Sequence, residues 1–409
     1  MTTSRERVML ALDHHPTDRL PRDLGGMRST CVSCFAYASL VAALGLPPRL
    51  PRIHDSGQML ALPDLDVLDA LGCDVVTVEG GLSNAFDRAE WWKPYDFGGR
   101  LQARIRSHEE FRVLEDGTVE TASGWARMLP KAHVFDALHG GQPLSLDGDL
   151  PRPSLDKVRA DLEKQRPTDA WAREAAGLLR RVRESSDRAI LYAGGPQSGI
   201  GIGSYGGLGI FPMLCVMEPD FVAELHDLIL PYRIEQLDAL LTAAAPYIDV
   251  YMVSADDWGT QAAPMASPSV YRRLFLPYYA KFNAAIAQRA PGIKRFLHSC
   301  GAIYDLLDLI VESGFDVVNP VQWTAGGYTY RQWKEKCRGR LALWGGGVDT
   351  QTTLPLGTVE DVERQAAEVS ACLGEGGGHV FCAIHNLLAE TDGRKVVAMY
   401  EAAGRVRPM

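Results

Sequence analysis

Lys294-Arg295-Phe296-Leu297-His298-Ser299-Cys300-Gly301-Ala302-Ile303-Tyr304-Asp305-Leu306-Leu307 is the stretch on which the fold is decided. Its first half reads as a short strand. Gly301 opens a turn, and Ile303, Leu306, Leu307 and Ile310 then recur at helical spacing. His298 and Cys300 lie two apart on the extended segment, so their side chains point the same way. Imidazole nitrogen and thiolate sulfur are ligand types that Zn2+ binds well. Two such groups at a strand-to-helix junction fall where a (β/α) barrel places its chemistry. The pair is incomplete by itself, because a catalytic zinc takes three protein ligands and a cysteine is often only a small buried residue. The segment His379-Val380-Phe381-Cys382-Ala383-Ile384-His385-Asn386 offers two candidates for a third ligand, Cys382 and His385.

Working outward, the same strand–turn–helix grammar repeats. Strands are expected over 72–78, 189–192, 247–253, 294–298, 316–320, 341–345 and 379–382, with a shorter one over 19–24 ending at Gly25-Gly26. Helical spacing fills 35–44, 169–184, 221–244, 267–290, 303–313, 359–372 and 395–402. Strands alternating with helices imply a parallel sheet, and about eight of them imply a (β/α)8 TIM barrel. Residues 87–135 break the pattern: Trp91, Trp92, Tyr95, Phe97, Trp125 and Phe135 are interleaved with charges, and Glu115-Asp116-Gly117-Thr118 carries a hairpin signal. We read an inserted small β-meander there, within a single barrel domain over 1–409. The stretch 194–209 holds eight glycines. It matches neither a P-loop nor a dinucleotide fingerprint, and reads as a loop over the barrel mouth.

The 409 residues carry a net charge of −9. That argues against nucleic-acid binding, which rests on neutralising phosphates. No run of about 18 apolar residues suggests a membrane span. The N-terminus is charged and helical in character rather than secretory, and the eight cysteines are scattered, so reduced thiols and a cytoplasmic location are expected. Cys31-Val32-Ser33-Cys34 has no second C-x-x-C to complete a structural zinc site.

With the strand ends in view, the chain resembles the uroporphyrinogen decarboxylase superfamily, and most of all its corrinoid-dependent methyltransferase branch. The resemblance is carried by Arg5-Glu6-Arg7-Val8, Asp18-Arg19-Leu20-Pro21 and Asp23-Leu24-Gly25-Gly26 near the start. It continues through Asp256-Asp257-Trp258-Gly259-Thr260-Gln261, Ser267-Pro268, Pro277-Tyr278-Tyr279 and His298-Ser299-Cys300-Gly301. It ends with Asn319-Pro320-Val321-Gln322, Trp344-Gly345-Gly346-Gly347-Val348-Asp349-Thr350-Gln351 and His385-Asn386. These words run in family order along nearly the whole chain. The arginine-rich loop with which the decarboxylases hold propionates is replaced here by Asp23-Leu24-Gly25-Gly26-Met27-Arg28-Ser29-Thr30, which argues against porphyrinogen decarboxylation.

The methyltransferase branch implies a zinc held by a His-x-Cys pair and a third ligand near the last strand. His298 and Cys300 match the pair. Cys382 has the branch's chemistry, whereas His385 stands at its position. The resemblance further implies a zinc-dependent enzyme moving methyl between a small methylated substrate, a methoxylated aromatic among the options, and a corrinoid on a separate B12-binding protein. Asp256 or Asp257 is expected to orient a ligand or leaving group, and Asn319, Gln322, Trp258 and Tyr205 to contact substrate. Two other readings stay open: a methylcorrinoid:thiol or tetrahydrofolate methyltransferase, and a metal-free decarboxylase-like lyase. Homo-oligomerisation is left open as well.

Overall fold

The computed structural model describes residues 2–79, 86, 89–137 and 150–408, so positions 87–88 of the expected insertion lie outside the described residues. Among the described residues, seven strands form one curled sheet in chain order: Val75–Val78, Ala189–Tyr192, Val250–Ala255, Lys294–His298, Val317–Asn319, Ala342–Trp344 and His379–Val380. Every neighbouring pair is parallel. The strands are apolar on both faces, which is the signature of a parallel sheet covered on both sides. The alternation is visible in the packing. Val75, Leu191, Val250, Phe296, Val317, Ala342 and Val380 meet inside the curl, together with Val8 and Leu12 of the N-terminal helix Ser4–Leu12. Val76, Ile190, Val253, Leu297, Val318 and Leu343 of the same strands pack outward against the helices.

The expected strand over 19–24 is reduced to a single bridge, Arg22 to Phe381. Pro21 has no N–H to give, and Asp23 turns its carboxylate back onto the Gly26 amide at 2.7 Å, which ends the extended run. The segment still touches both edges of the sheet: Phe381 N donates to Pro21 O and Asp74 N to Arg22 O. The single helix expected over 267–290 is two, Pro268–Leu274 and Leu276–Arg289. Pro277 interrupts the ladder between them.

The aromatic region divides. Trp92–Asp96 and Gln102–Arg106 join a five-stranded sheet with Val32–Ser33, Arg52–Asp55 and Leu60–Leu62. Phe111–Val113, Val119–Thr121, Ala126–Met128 and Asp136–Ala137 form a separate four-stranded antiparallel sheet. Gly117 takes the positive φ that the Asp-Gly turn between the first two of these strands requires.

Candidate metal centre

The turn after the strand Lys294–His298 is fixed at almost every polar atom. His298 O accepts from Asp256 N at 3.1 Å, and Ser299 N donates to Asn319 O at 2.6 Å. Ser299 Oγ accepts from Trp258 N at 3.0 Å, and Cys300 N donates to Asp257 Oδ1 at 2.9 Å. Gly301 N donates to Gln322 Oε1 at 2.7 Å. Gly301 has φ +89°, and a Cβ there would lie 2.1 Å from the Gly259 carbonyl oxygen. Only glycine allows that approach. The words Asp256-Asp257-Trp258-Gly259 and His298-Ser299-Cys300-Gly301 are therefore two halves of one interlocked turn.

This turn brings three donors together. One ligand atom each from His298, Cys300 and His385 lies within 4.8 Å of the other two. Cys300 Sγ is 3.5 Å from His298 Nε2. Cys382, the other candidate third ligand, lies elsewhere: it is buried on the inner face of the sheet, and a Cβ on Gly345 would come within 3.1 Å of its sulfur. Side chains alternate along an extended segment, and Cys382 falls on the inward register. His385, beyond the strand, reaches the cluster.

The electrostatics suit a cation. Burial pushes the Cys300 thiol up, with the Asp257 carboxylate acting in the same direction. Burial pushes His385 down to about 4 and also lowers His298, although Asp257 and Asn319 oppose the latter. The site thus resists a bare thiolate and resists imidazolium. A dication would reverse the first penalty and use both neutral imidazoles as ligands. Two nitrogens and one sulfur, with a fourth direction left to solvent or substrate, match a catalytic zinc donor set.

His298 and His385 face a cavity of about 500 Å3. Other lining residues were not legible in the sequence, among them Arg28, Gln58, Glu79 and Gln197. The Arg28 guanidinium lies 3.1 Å from Glu79 Oε2 and 3.3 Å from Asp55 Oδ2, and buried His54 lies 3.4 Å from the same Glu79 oxygen. Glu79 follows the strand Val75–Val78 directly, and an acid closing a buried strand was the signal available. Burial raises the Glu79 pKa, but His54 and Arg28 overcome it and hold the carboxyl below its usual range.

Each remaining expected site residue has a defined place. Asp257 lines the cavity, its Oδ1 3.7 Å from His298 Nε2. Asp256 instead accepts the amides of Ile202 and Gly203 in the glycine-rich stretch, and burial pushes its pKa up to about 6. Asn319 is fully buried against His298 rather than open to the cavity. Gln322 supports the turn at Gly301. Trp258 is buried edge-on against Tyr271 and Phe275, and Tyr205 packs on Phe211. Neither ring is among the described residues that line the cavity, and apart from the two histidine imidazoles no aromatic side chain is.

A curled parallel sheet with a candidate metal cluster at its strand ends defines an α/β enzyme-type scaffold with its chemistry at the C-terminal face. Residues 200–406, about half of the chain, match the uroporphyrinogen decarboxylase (URO-D) family, and the chain belongs to that family. Uroporphyrinogen decarboxylases of Coxiella burnetii strains Dugway 5J108-111 and RSA 493 / Nine Mile phase I are each 28% identical over 188 residues. The alignment covers 45% of this chain and 47% of theirs, so the chain spans about half the length of these curated relatives. Among solved structures, a methyltransferase from Methanosarcina mazei superposes with a TM-score of 0.53 at 16% identity, covering 98% of both chains. That likeness is one of fold.

Proposed function

We propose that this chain is a zinc-dependent methyltransferase that moves a methyl group between a small methylated substrate and a corrinoid carried by a separate protein. The observation that carries the reading is the grouping of one ligand atom each from His298, Cys300 and His385 within 4.8 Å of one another, with both histidines on the cavity wall. A zinc ion held there would polarise an ether oxygen or favour the thiolate form of a bound thiol. The chain's own residues do the rest. Asp257, beside the donor set and open to the cavity, holds or accepts a proton at the substrate heteroatom. Arg28, Gln58 and Gln197, which line the same cavity, orient the remainder of the substrate. With no Phe, Tyr or Trp among the described lining residues to stack on a ring, and with Arg28, Gln58, Glu79 and Gln197 beside Met27 and Met252, the lining favours a compact substrate with polar groups over a methoxylated aromatic.

The lyase reading is weakened by the same lining. Arg28 is the one cation among the described lining residues and is already paired with two carboxylates, whereas a polycarboxylate needs several free cations. The test is to incubate zinc-loaded protein with reduced free corrinoid and a panel of methyl ethers, methylamines and methyl thioethers, following the corrinoid absorbance. Methylated corrinoid with at least one class, or methyl loss from methylcorrinoid to a thiol or tetrahydrofolate, fits the proposal. Carbon dioxide release from carboxylated substrates with no methyl movement overturns it.

A further inference from the structure

We infer that Asn319, with Ser29, is a positioning residue that fixes His298 as the tautomer protonated on Nδ1, leaving the Nε2 lone pair aimed at Cys300 and His385. The donor and acceptor inventory of the buried cluster requires it. Asn319 Nδ2 donates to the Trp344 carbonyl oxygen at 3.0 Å, which settles the amide orientation, since the reverse would set two carbonyl oxygens against each other. Asn319 Oδ1 therefore faces His298 Nδ1, at 2.7 Å. A carbonyl oxygen only accepts, so Nδ1 carries the proton. Ser29 Oγ lies 3.2 Å from the same Oδ1 and 3.1 Å from the same Nδ1, where it donates to the amide and shares the imidazole proton. On the far side, Nε2 is 3.5 Å from Cys300 Sγ, close enough to accept from the thiol when no metal is bound.

The clamp also reaches the second histidine. Asn386, next to His385, places its amide 2.6 Å from the Arg28 carbonyl oxygen and 3.1 Å from that of Ser29. Two carbonyl oxygens do not bond, so the amide nitrogen faces them, with the Gln58 amide turned so that its nitrogen, 2.8 Å away, donates to the Asn386 oxygen. The short helix Arg28–Thr30 thus grips both ligand segments, through the Ser29 side chain on one and through main-chain carbonyls on the other.

The consequence for metal retention rests on the zinc reading; the tautomer does not. Partners that orient a ligating imidazole are typically worth 10- to 100-fold in metal affinity. The experiment has two arms. The first is 15N spectroscopy of the histidine side chains in metal-free protein, with His298 assigned by its loss in His298→Gln. Protonated Nδ1 and unprotonated Nε2 are expected at neutral pH, and the opposite tautomer overturns the inference whatever the variants do. The second is zinc competition against a chelating dye for wild type, Ser29→Ala and Asn319→Leu, with circular dichroism of each. The expectation is about 10- to 100-fold weaker zinc in a folded Asn319→Leu and a smaller loss in Ser29→Ala. Unchanged affinity in folded Asn319→Leu overturns the positioning role. Failure of wild type itself to bind zinc defeats the proposed function while leaving the tautomer result standing.

Discussion

The two walls of the cavity are built by different rules. His298, Cys300 and Asp257 sit at or just past the ends of parallel strands, held by hydrogen bonds between neighbouring strand ends, and His385 joins them from the loop after the last strand. Arg28, Gln58 and Glu79 come from a short helix, a turn and a strand end of the N-terminal quarter, and Arg28 and Glu79 are joined by an ion pair. One wall gathers donors suited to a metal. The other gathers compensated charges suited to orienting a polar molecule. On the proposed reading, metal binding and substrate orientation fall to different side chains, and substitutions at those side chains should separate them.

The largest effects fall on the donor wall. His298→Ala and Cys300→Ser should each abolish stable zinc binding, lowering affinity by about 100-fold or more, and should remove activity with it. Zinc titration with a chelator reads this, and retention of tight zinc by either variant would break the comparison. His385→Ala should behave in the same direction, whereas Cys382→Ala should leave zinc untouched and cost about 1 kcal/mol of stability in urea unfolding. A reversal of those two would return the third ligand to Cys382.

The recognition wall should respond differently. Arg28→Ala or Glu79→Gln should keep the zinc content of wild type and raise KM about 10-fold, equivalent to about 1.4 kcal/mol of lost binding. Loss of metal from either variant would mean that the two walls act as one unit.

A further effect, on stability alone, lies outside both walls. His226 is buried among Phe211, Phe275 and Tyr278, and burial lowers its pKa to about 4. A neutral buried imidazole contributes stability above its unfolded pKa of about 6.5, and that contribution declines as pH falls towards 4. Between pH 7.5 and 5.5, wild type should lose about 1.3 kcal/mol relative to His226→Gln in paired urea unfolding experiments. An equal slope for both proteins would place a charged imidazole in the core.

These differences explain what the sequence conveyed. A strand end followed by glycine is a local signal, so His298-Ser299-Cys300-Gly301 and the order of the seven strands could be read directly. His385 could be placed only as an alternative to Cys382, because choosing between them needs the register of the final strand. The role of Asn319 was hidden because its partners, Ser29, His298 and Trp344, are brought together only by folding. The aromatic residues pointed the wrong way: Trp258 and Tyr205 looked like substrate contacts, but large rings bury the most apolar surface and the packing took them. The Arg28–Glu79–His54 cluster had no spacing signal, since its members belong to three separate elements.

Whether the strand-end donors hold a metal is decided by elemental analysis of natively purified protein. Wild type should carry about one zinc per chain, with little in His298→Ala, Cys300→Ser and His385→Ala. Folded, monodisperse wild-type protein that carries no zinc and cannot be loaded with it would mean that these donors are not a zinc site.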